Sequence, residues 1–318
     1  MSILVFVEIA EGRVKKTSLE AVAYANGMGG DVTAIAMGEV DSAELSGMGN
    51  YGATKVLHAN NAQLNDRVSS AYASVLVSAM DHAGANTLVL ANSSLGGPVS
   101  AKVAIKKDAS LVSNVVELPD TSAGFHVKRS IYTGKAFATV SMDKDNKVLA
   151  IKKNAAEVKE TGGSASVEVF DVALSDDDFK VKIISTDKTT GVILLPEAEI
   201  VVSGGRGLKG PENWGMIEDL AKALGAATGC SKPVSDMDWR PHHEHVGQTG
   251  VKVSPNLYIA VGISGAIQHL AGVNSSKYIV VINKDEEAPF FKAADYGIVG
   301  DAFEVLPKLT EAIIAANS

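Results

Sequence analysis

Glycine and polar residues follow several short apolar runs in the last third of the chain. The runs A-E-I-V-V, L-Y-I-A-V and Y-I-V-V-I lead into S-G-G-R-G, G-I-S-G-A and N-K-D, at residues 203–207, 262–266 and 283–285. Short β-branched runs are typical of buried parallel strands, and ligands bind in the crevice outside the carboxyl ends of such strands. The pattern predicts one ligand site assembled from several strand ends.

The segment S-G-G-R-G has the chemistry of an anion site. Glycines let backbone N–H groups turn towards an anion, and Arg206 adds a positive charge suited to a diphosphate. The segment matches neither the G-x-G-x-x-G dinucleotide fingerprint nor a Walker loop, so it does not identify the ligand. A surface ion pair is the alternative role for Arg206.

The segment G-I-S-G-A superficially matches the G-x-S-x-G nucleophile elbow of hydrolases. Its fifth position is Ala266, and His269 follows Ser264 by five residues on what we predict to be the same helix, which turns the two side chains apart. We expect Ser264 and the helix start at 265–267 to donate hydrogen bonds to a cofactor instead. Asn283 and Asp301, at the ends of two later strands, are predicted to accept from ribose hydroxyls or to read an adenine edge.

The run P-H-H-E-H at residues 241–245 invites a metal interpretation. Neighbouring histidines in one loop need further ligands from another element, and none is evident, so a structural or exposed loop is favoured. Cys230 is the single cysteine, which excludes an internal disulfide and favours a small buried residue over a catalytic thiol.

Composition limits the class of protein. A chain of 318 residues suggests two domains, and the aperiodic run at 185–190 places them at 1–188 and 189–318. The net charge of -8 argues against nucleic-acid or anionic-membrane binding. The longest apolar stretch, 257–267, is too short to span a bilayer, and no basic leader precedes the first strand. A cytoplasmic protein without an integral membrane segment is expected.

The predicted fold class is α/β in both domains. In the first, strands over 3–9, 32–38, 55–59 and 87–94 alternate with helices over 18–27, 42–48, 66–84 and 99–107, which indicates a mostly parallel sheet covered on both faces. Alternating segments at 125–132, 135–142, 147–153 and 167–172 predict added antiparallel strands, and 175–178 a solvated turn. The loop at 93–98 is interpreted as scaffold or partner surface. The second domain is predicted to be Rossmann-like, with a parallel sheet.

Five ordered motifs carry a family resemblance. They are V-V-S-G-G-R-G-L-K-G, V-G-Q-T-G, Y-I-A-V-G-I-S-G-A-I-Q-H-L-A-G, I-N-K-D and A-D-Y-G-I-V-G-D, starting at residues 201, 246, 258, 282 and 294. Together they resemble the C-terminal domain of the electron transfer flavoprotein α subunit. The resemblance covers roughly the last 120 residues in detail and the first domain in its general layout.

The resemblance implies an electron carrier rather than a substrate-converting enzyme. Such a subunit binds FAD and pairs with a β subunit, which carries AMP or a second FAD. It passes electrons from flavoprotein dehydrogenases, such as the acyl-CoA dehydrogenases of fatty acid β-oxidation, to a membrane quinone-reducing acceptor. No residue is then expected to be catalytic. An NAD- or FAD-dependent oxidoreductase acting on a small substrate, an electron-bifurcating form and a non-redox sensor remain alternatives.

The resemblance also implies which residues contact the cofactor. It places Arg206, Ser231 and Lys232 near the diphosphate or the flavin ring. It places Val246, Gly247, Gln248 and Thr249 near the flavin, with the threonine hydroxyl close to N5. It places five residues along the dinucleotide, namely Ser264, Gly265, Ala266, Ile267 and Gln268. His269 is placed near the pyrimidine carbonyl of the flavin, and Asn283 and Asp301 are placed at the adenosine half.

One position departs from the family pattern. The family usually has arginine after the serine, whereas this chain has Lys232, which keeps the charge but lacks the planar guanidinium. We expect Lys232 to stabilise a negatively charged, one-electron-reduced flavin less than arginine would.

Overall fold

A computed structural model describes residues 1–134, 136–186 and 194–317 of the chain. The chain divides into two compact units, Met1–Thr186 and Asp187–Ser318. Most of the predicted boundary run at 185–190 lies outside the described residues, so the division into 1–188 and 189–318 stays a prediction. In the described part, no helix combines the length and apolar character needed to cross a membrane.

The first unit alternates strands and helices. Its strands are β1 (Ser2–Val7), β2 (Ile9–Ala10), β3 (Arg13–Val14), β4 (Asp31–Met37), β5 (Lys55–Ala59), β6 (Thr87–Ala91), β7 (Ser110–Val115), β8 (His126–Ile131), β9 (Ala136–Ser141), β10 (Lys147–Ile151) and β11 (Ser166–Val169). Its α-helices are α1 (Lys16–Gly27), α2 (Ser42–Ser46), α3 (Ser69–His82) and α4 (Gly96–Lys106). Short 3-10 helices lie at Gly47–Tyr51, Ala62–Leu64, Tyr132–Gly134 and Asp176–Phe179.

The described strands of the first unit, apart from β2 and β3, form a nine-stranded sheet in the order β11-β5-β4-β1-β6-β10-β7-β8-β9. Strand β1 lies near its centre and pairs parallel with β4 and β6. Because side chains alternate across a strand, Leu4 and Phe6 enter the core on the α3 and α4 face. Ile3 and Val5 enter the core on the α1 face. Burial on both faces explains why the strand sequence I-L-V-F-V is continuously apolar.

Strand prediction in the second half of this unit was partly wrong. The antiparallel pairing of β8 with β9 is confirmed, although Lys135 of the predicted strand lies outside the described residues. Strand β10 was predicted to be antiparallel, but it lies parallel between β6 and β7. Strand β11 was also assigned to this antiparallel group, but it pairs parallel with β5 at the opposite edge. These parallel pairings join segments that lie far apart in the sequence. Short spacing between two predicted strands therefore does not show that they are neighbours in the sheet.

The second unit is built from shorter elements. Its strands are β12 (Ile200–Gly204), β13 (Ala227–Cys230), β14 (Leu257–Val261), β15 (Tyr278–Asn283) and β16 (Tyr296–Val299). Its α-helices are α5 (Gly215–Leu224), α6 (Lys232–Asp236), α7 (Ile267–Val273) and α8 (Ala302–Asn317). Short 3-10 helices lie at Arg206–Leu208, Pro211–Asn213, His242–Glu244 and Pro289–Ala293.

These five described strands form one parallel sheet in the order β13-β12-β14-β15-β16, which confirms the predicted Rossmann-like layout. One core, including Tyr258 and Val273, lies on the α7 face. The other, including Ile217 and Leu306, lies under α5 and α8. Two covered faces leave the strand ends as the accessible edges of the sheet, and the carboxyl ends all lie on the same edge.

The central strand of the first unit provides a test of the core assignment. Leu4 is fully buried, so Leu4→Ala should lower the free energy of unfolding by about 2 to 5 kcal/mol through lost burial and the cavity left behind. The same truncation at Ile105, which is 83% exposed on α4, should change it by less than about 0.5 kcal/mol. Urea unfolding followed by far-UV circular dichroism measures both. Equal effects would contradict the assignment.

Candidate functional site

The predicted site residues lie at the carboxyl edge of the second sheet or on segments packed against it. The strands end at Gly204, Cys230, Val261, Asn283 and Val299, and each end leads into one of the predicted segments. Most of the polar side chains there are exposed, namely Arg206, Lys232, Gln248, Thr249, Ser264 and Gln268. The edge therefore presents cationic, hydroxyl and amide groups from several parts of the sequence.

The loop after β12 is fixed by backbone hydrogen bonds to the end of β14. Gly205 N–H donates to the Val261 carbonyl over 2.8 Å, and Gly207 N–H to the Gly262 carbonyl over 3.1 Å. Arg206, between these anchors, is exposed, and its guanidinium has no ion-pair partner in the described part of the chain. An arginine without a carboxylate partner can bind a diphosphate without first losing an ion pair.

The V-G-Q-T-G segment forms a tight turn at residues 246–250 that packs on α7. Gln248 N–H donates to the Gln268 carbonyl over 2.7 Å. A Cβ atom on Gly272 would lie 2.5 Å from the Gly247 Cα, so only glycine lets the turn approach the helix this closely. Val246 N–H donates to the Cys230 carbonyl over 2.9 Å, which ties the turn to β13. Two predicted groups of site residues, 246–249 and 264–269, are thus brought together.

His269 is buried on α7 beside Tyr258 of β14. The Tyr258 hydroxyl and His269 Nε2 are 2.8 Å apart. Burial lowers the pKa of His269 to about 4, with a further contribution from the nearby His245. Burial also raises the pKa of the Tyr258 phenol. Both groups are therefore neutral at physiological pH. His269 Nδ1 is a buried nitrogen without a hydrogen bond of normal geometry among the described residues, and the backbone of Val246 lies close enough to the ring to oppose the lowering of its pKa.

Ser231 and Lys232 stand at the start of α6, directly after β13. Ser231 is buried, and its N–H donates to the Gly204 carbonyl over 3.0 Å, which joins this loop to the end of β12. Lys232 is exposed, and its Nζ lies 2.9 Å from Asp236 Oδ1 one turn later. Since exposed ion pairs of this kind are weak, the pairing does not prevent the ammonium group from facing a ligand.

The segment after β14 differs from the prediction. Ser264 was expected on the same helix as His269, but α7 begins at Ile267, and Ser264 lies in the preceding loop. That loop is held against the 3-10 helix at Pro289–Ala293, where Phe290 N–H donates to the Ser264 carbonyl over 3.1 Å. Gly265 adopts a φ of +83° against Phe290, which leaves no space for a side chain. Ala266 and Ile267 are exposed at this rim.

Asn283 and Asp301 both have hydrogen bonds within the fold. Asn283 Nδ2 donates to the Ile263 carbonyl over 3.1 Å, and its Oδ1 accepts from Asp285 N–H. Asp301 Oδ1 accepts from Phe303 N–H over 3.0 Å at the start of α8. These bonds shape the loops at the ends of β15 and β16. The expected contacts with an adenosine stay a prediction.

The histidine run is part of this region. His242 and His243 are exposed, whereas His245 is buried and forms a parallel bridge with Cys230. Cys230 is itself fully buried, and burial raises the pKa of its thiol to about 12, as expected for a structural residue. Among the described residues, no group of three or more His, Cys, Asp or Glu side chains is placed to hold a metal ion.

Three features of the site were not predicted from the sequence. The first is the Tyr258 partner of His269, and the second is the contact of Gly247 with Gly272. The third is an ion pair in which Arg240 donates to both carboxylate oxygens of Glu244, at 2.9 and 2.6 Å. Only the third had a sequence signal, because oppositely charged residues four apart often pair. The other two depend on contacts between distant segments.

A parallel sheet with helices on both faces and a polar, glycine-rich carboxyl edge defines a nucleotide-cofactor-binding class of protein. Comparison with known families is more specific. Residues 194–274 match the model of the electron transfer flavoprotein FAD-binding domain. Residues 3–177 match the model of the electron transfer flavoprotein domain.

Relatives match over nearly the whole chain. The electron transfer flavoprotein subunit alpha of Bacillus subtilis is 38% identical over 97% of this chain and 96% of its own length. That of Pseudomonas aeruginosa is 40% identical over 98% of this chain and 100% of its own length. The probable mitochondrial electron transfer flavoprotein subunit alpha of Caenorhabditis elegans is 36% identical over 98% of this chain and 93% of its own length. The chain belongs to the electron transfer flavoprotein α-subunit family.

The pKa of His269 predicts how stability depends on pH. In the unfolded chain the imidazole titrates near its ordinary value of about 6.5, whereas in the folded chain its pKa is about 4. Its contribution is therefore complete above pH 6.5, falls as the pH drops to about 4, and does not change further below that. We expect wild type to lose about 3 kcal/mol more than His269→Gln between pH 7 and pH 4.

Urea unfolding at both pH values measures this difference. Glutamine can still accept from the Tyr258 hydroxyl but does not titrate. His243→Gln, which removes an exposed histidine, should follow wild type. If His269→Gln also follows wild type, His269 is not buried in its neutral form.

Proposed function

We propose that this chain binds FAD at the carboxyl edge of its second sheet, as the α subunit of an electron transfer flavoprotein. The observation that carries the proposal is the convergence of the 246–250 turn, α7 and the loop after β12 on one edge, with a buried, unpaired imidazole nitrogen on His269. A ligand that supplies an acceptor to this nitrogen removes the free-energy cost of leaving it unpaired. The pyrimidine carbonyl of a flavin is such an acceptor.

The side chains at this edge fit the parts of the cofactor. Arg206 matches the diphosphate in charge and geometry. Gln248 and Thr249, at the tip of the turn, face the flavin ring, with the threonine hydroxyl near N5. Ser264 and Gln268 line the dinucleotide together with the intervening backbone. Asn283 and Asp301 serve the adenosine half, in addition to the loop contacts they already make.

The protein's contribution is position and electrostatics. Bound FAD supplies the chemistry by accepting and releasing one or two electrons. In the tautomer that we propose, the Tyr258 hydroxyl donates to His269 Nε2, and the single proton of the neutral ring lies on Nδ1 for donation to the cofactor. Lys232 contributes a positive charge at the end of β13. Electron transfer at this site does not require a nucleophile or a general base.

We further propose that the chain pairs with a β subunit, which holds AMP or a second FAD, and that the first unit serves as scaffold and partner surface. The pair takes electrons from flavoprotein dehydrogenases, such as acyl-CoA dehydrogenases, and delivers them to a membrane quinone-reducing acceptor, with the cytoplasm as its compartment. The full-length match to relatives named as alpha subunits supports the pairing. Copurification of the chain with its β subunit, followed by flavin and AMP analysis, tests this.

The role of Arg206 is tested by FAD affinity. Because a charge-assisted hydrogen bond contributes about 1.5 to 3 kcal/mol, Arg206→Gln should weaken FAD binding by roughly tenfold to a hundredfold. The measurement is a titration of the FAD-depleted heterodimer, followed by flavin absorbance and fluorescence. Lys209→Gln removes a nearby exposed cation whose Nζ lies over the Phe303 ring, and it should have little effect.

Two outcomes would contradict this proposal at different levels. A wild-type heterodimer that stays colourless when offered FAD would refute flavin binding altogether. Equal losses for Arg206→Gln and Lys209→Gln would show that general positive charge, rather than a diphosphate contact, is responsible.

Lys232 provides a second test, through reduction potentials. Lys232→Arg should increase stabilisation of the one-electron-reduced flavin, because a planar guanidinium can lie against the ring while keeping its charge. Stepwise reduction of the heterodimer with optical detection gives both one-electron potentials. Lys222→Arg on α5 is a matched change at an exposed site away from the strand ends and should leave both potentials unchanged. Unchanged potentials in Lys232→Arg would refute the role.

A further inference from the structure

His245 lies on the inner side of the turn at residues 246–250. It is 2% exposed. A Cβ atom added to Gly250 would lie 2.7 Å from its Nδ1, and one added to Gly247 would lie 3.2 Å from its Nε2. The imidazole therefore fills the space between these two glycines, directly behind Gln248 and Thr249. Its Nδ1 is buried without a hydrogen-bond partner among the described residues.

The backbone around His245 is held on both sides. The His245 carbonyl accepts from Val251 N–H over 2.7 Å, and the preceding residues form a 3-10 helix at His242–Glu244. Arg240 donates to both carboxylate oxygens of Glu244 and also contacts Glu218 on α5 at 3.0 Å. The imidazole cannot leave its position without disturbing this loop or the turn above it.

The surroundings of His245 disfavour a positive charge. The titratable and charged groups facing it are His242, whose ring centroid is 5.5 Å away, Lys232 and Asp236 of α6, His269 of α7 and Cys230 of β13. Burial is the main cause that lowers the pKa of His245, followed by the charges of His242 and Lys232, while Asp236 acts in the opposite direction. A proton on His245 would be buried near the positive charge of Lys232.

We propose that His245 is a positioning residue for the flavin-contacting turn, and that only its neutral form holds Gln248 and Thr249 in place for FAD. The inference deepens the proposed function and rests on it. A protonated His245 has to gain water, and the turn at 246–250 packs directly against its ring. Protonation therefore moves the turn and weakens the binding of FAD.

The sign of the effect follows from linkage. If the FAD-free protein takes up a proton on His245 and the FAD-bound protein does not, the dissociation constant for FAD rises as pH falls. Because burial already lowers the pKa of His245 from its ordinary value of about 6.5, the rise begins below pH 6.5 and approaches at most about tenfold per pH unit. Above pH 7 the dissociation constant should be constant. His269 titrates well below this window, with a pKa of about 4.

The experiment is a titration of FAD into the FAD-depleted heterodimer, made from the full-length chain and its β subunit, at pH values from 5.5 to 8. We expect the dissociation constant to be level above pH 7 and to rise by pH 5.5, by less than the roughly tenfold that an imidazole of ordinary pKa would give. His245→Asn retains an amide near the Nδ1 position but does not titrate, so its dissociation constant should not change with pH. His243→Gln, at the adjacent exposed histidine, should keep the wild-type dependence.

Each result has one meaning. A His245→Asn profile that still rises at low pH, or a flat wild-type profile, would overturn the role of His245 but leave FAD binding intact. Failure of wild type to bind FAD at any pH would instead refute the proposed function. If His245→Asn does not fold, calorimetry of wild type in two buffers with different ionisation enthalpies still decides. Proton release on FAD binding that increases from pH 7 to pH 5.5 supports the proposal, and no release over this range contradicts it.

Discussion

The candidate site depends on the close approach of two backbone segments, the turn at 246–250 and helix α7. Gly247 and Gly272 meet where a single Cβ atom would lie 2.5 Å from the opposing backbone. This contact places Gln248 and Thr249 beside the groups of α7 and lets Gln248 N–H reach the Gln268 carbonyl. A larger residue at position 272 would separate the two segments. The expected flavin contacts from the turn and from the helix would then no longer belong to one surface.

The same approach creates the buried polar groups of the site. His245 is buried behind the turn, and His269 is buried on the side of α7 that faces Tyr258. Each imidazole has a buried Nδ1 without a hydrogen-bond partner in the described part of the chain, which is unfavourable for the protein alone. Both imidazoles lie at the edge of the sheet where we propose that the cofactor binds.

The sequence predicted the architecture where local pattern determines it. Apolar runs such as I-L-V-F-V identified the buried strands, and the glycine-rich segments identified the carboxyl edge. Prediction failed for β10 and β11 because strand neighbours are set by long-range packing, which spacing along the chain does not encode. Strand β13 was missed because A-T-G-C is short and contains glycine. For the site, the motifs identified residues that lie at the carboxyl edge, but not the buried residues behind them, Tyr258 and His245.

Several residues at the edge serve both the fold and the predicted cofactor. Asn283 joins the ends of β14 and β15, and Asp301 starts α8. The loop around Arg206 is fixed by Gly205 and Gly207 N–H groups before any ligand is bound. A site whose loops are already held by internal hydrogen bonds loses little conformational entropy on binding, which favours affinity. The turn at 246–250 is different, because it covers a titratable imidazole. It is therefore the part of the site in which proton binding and cofactor binding can be linked.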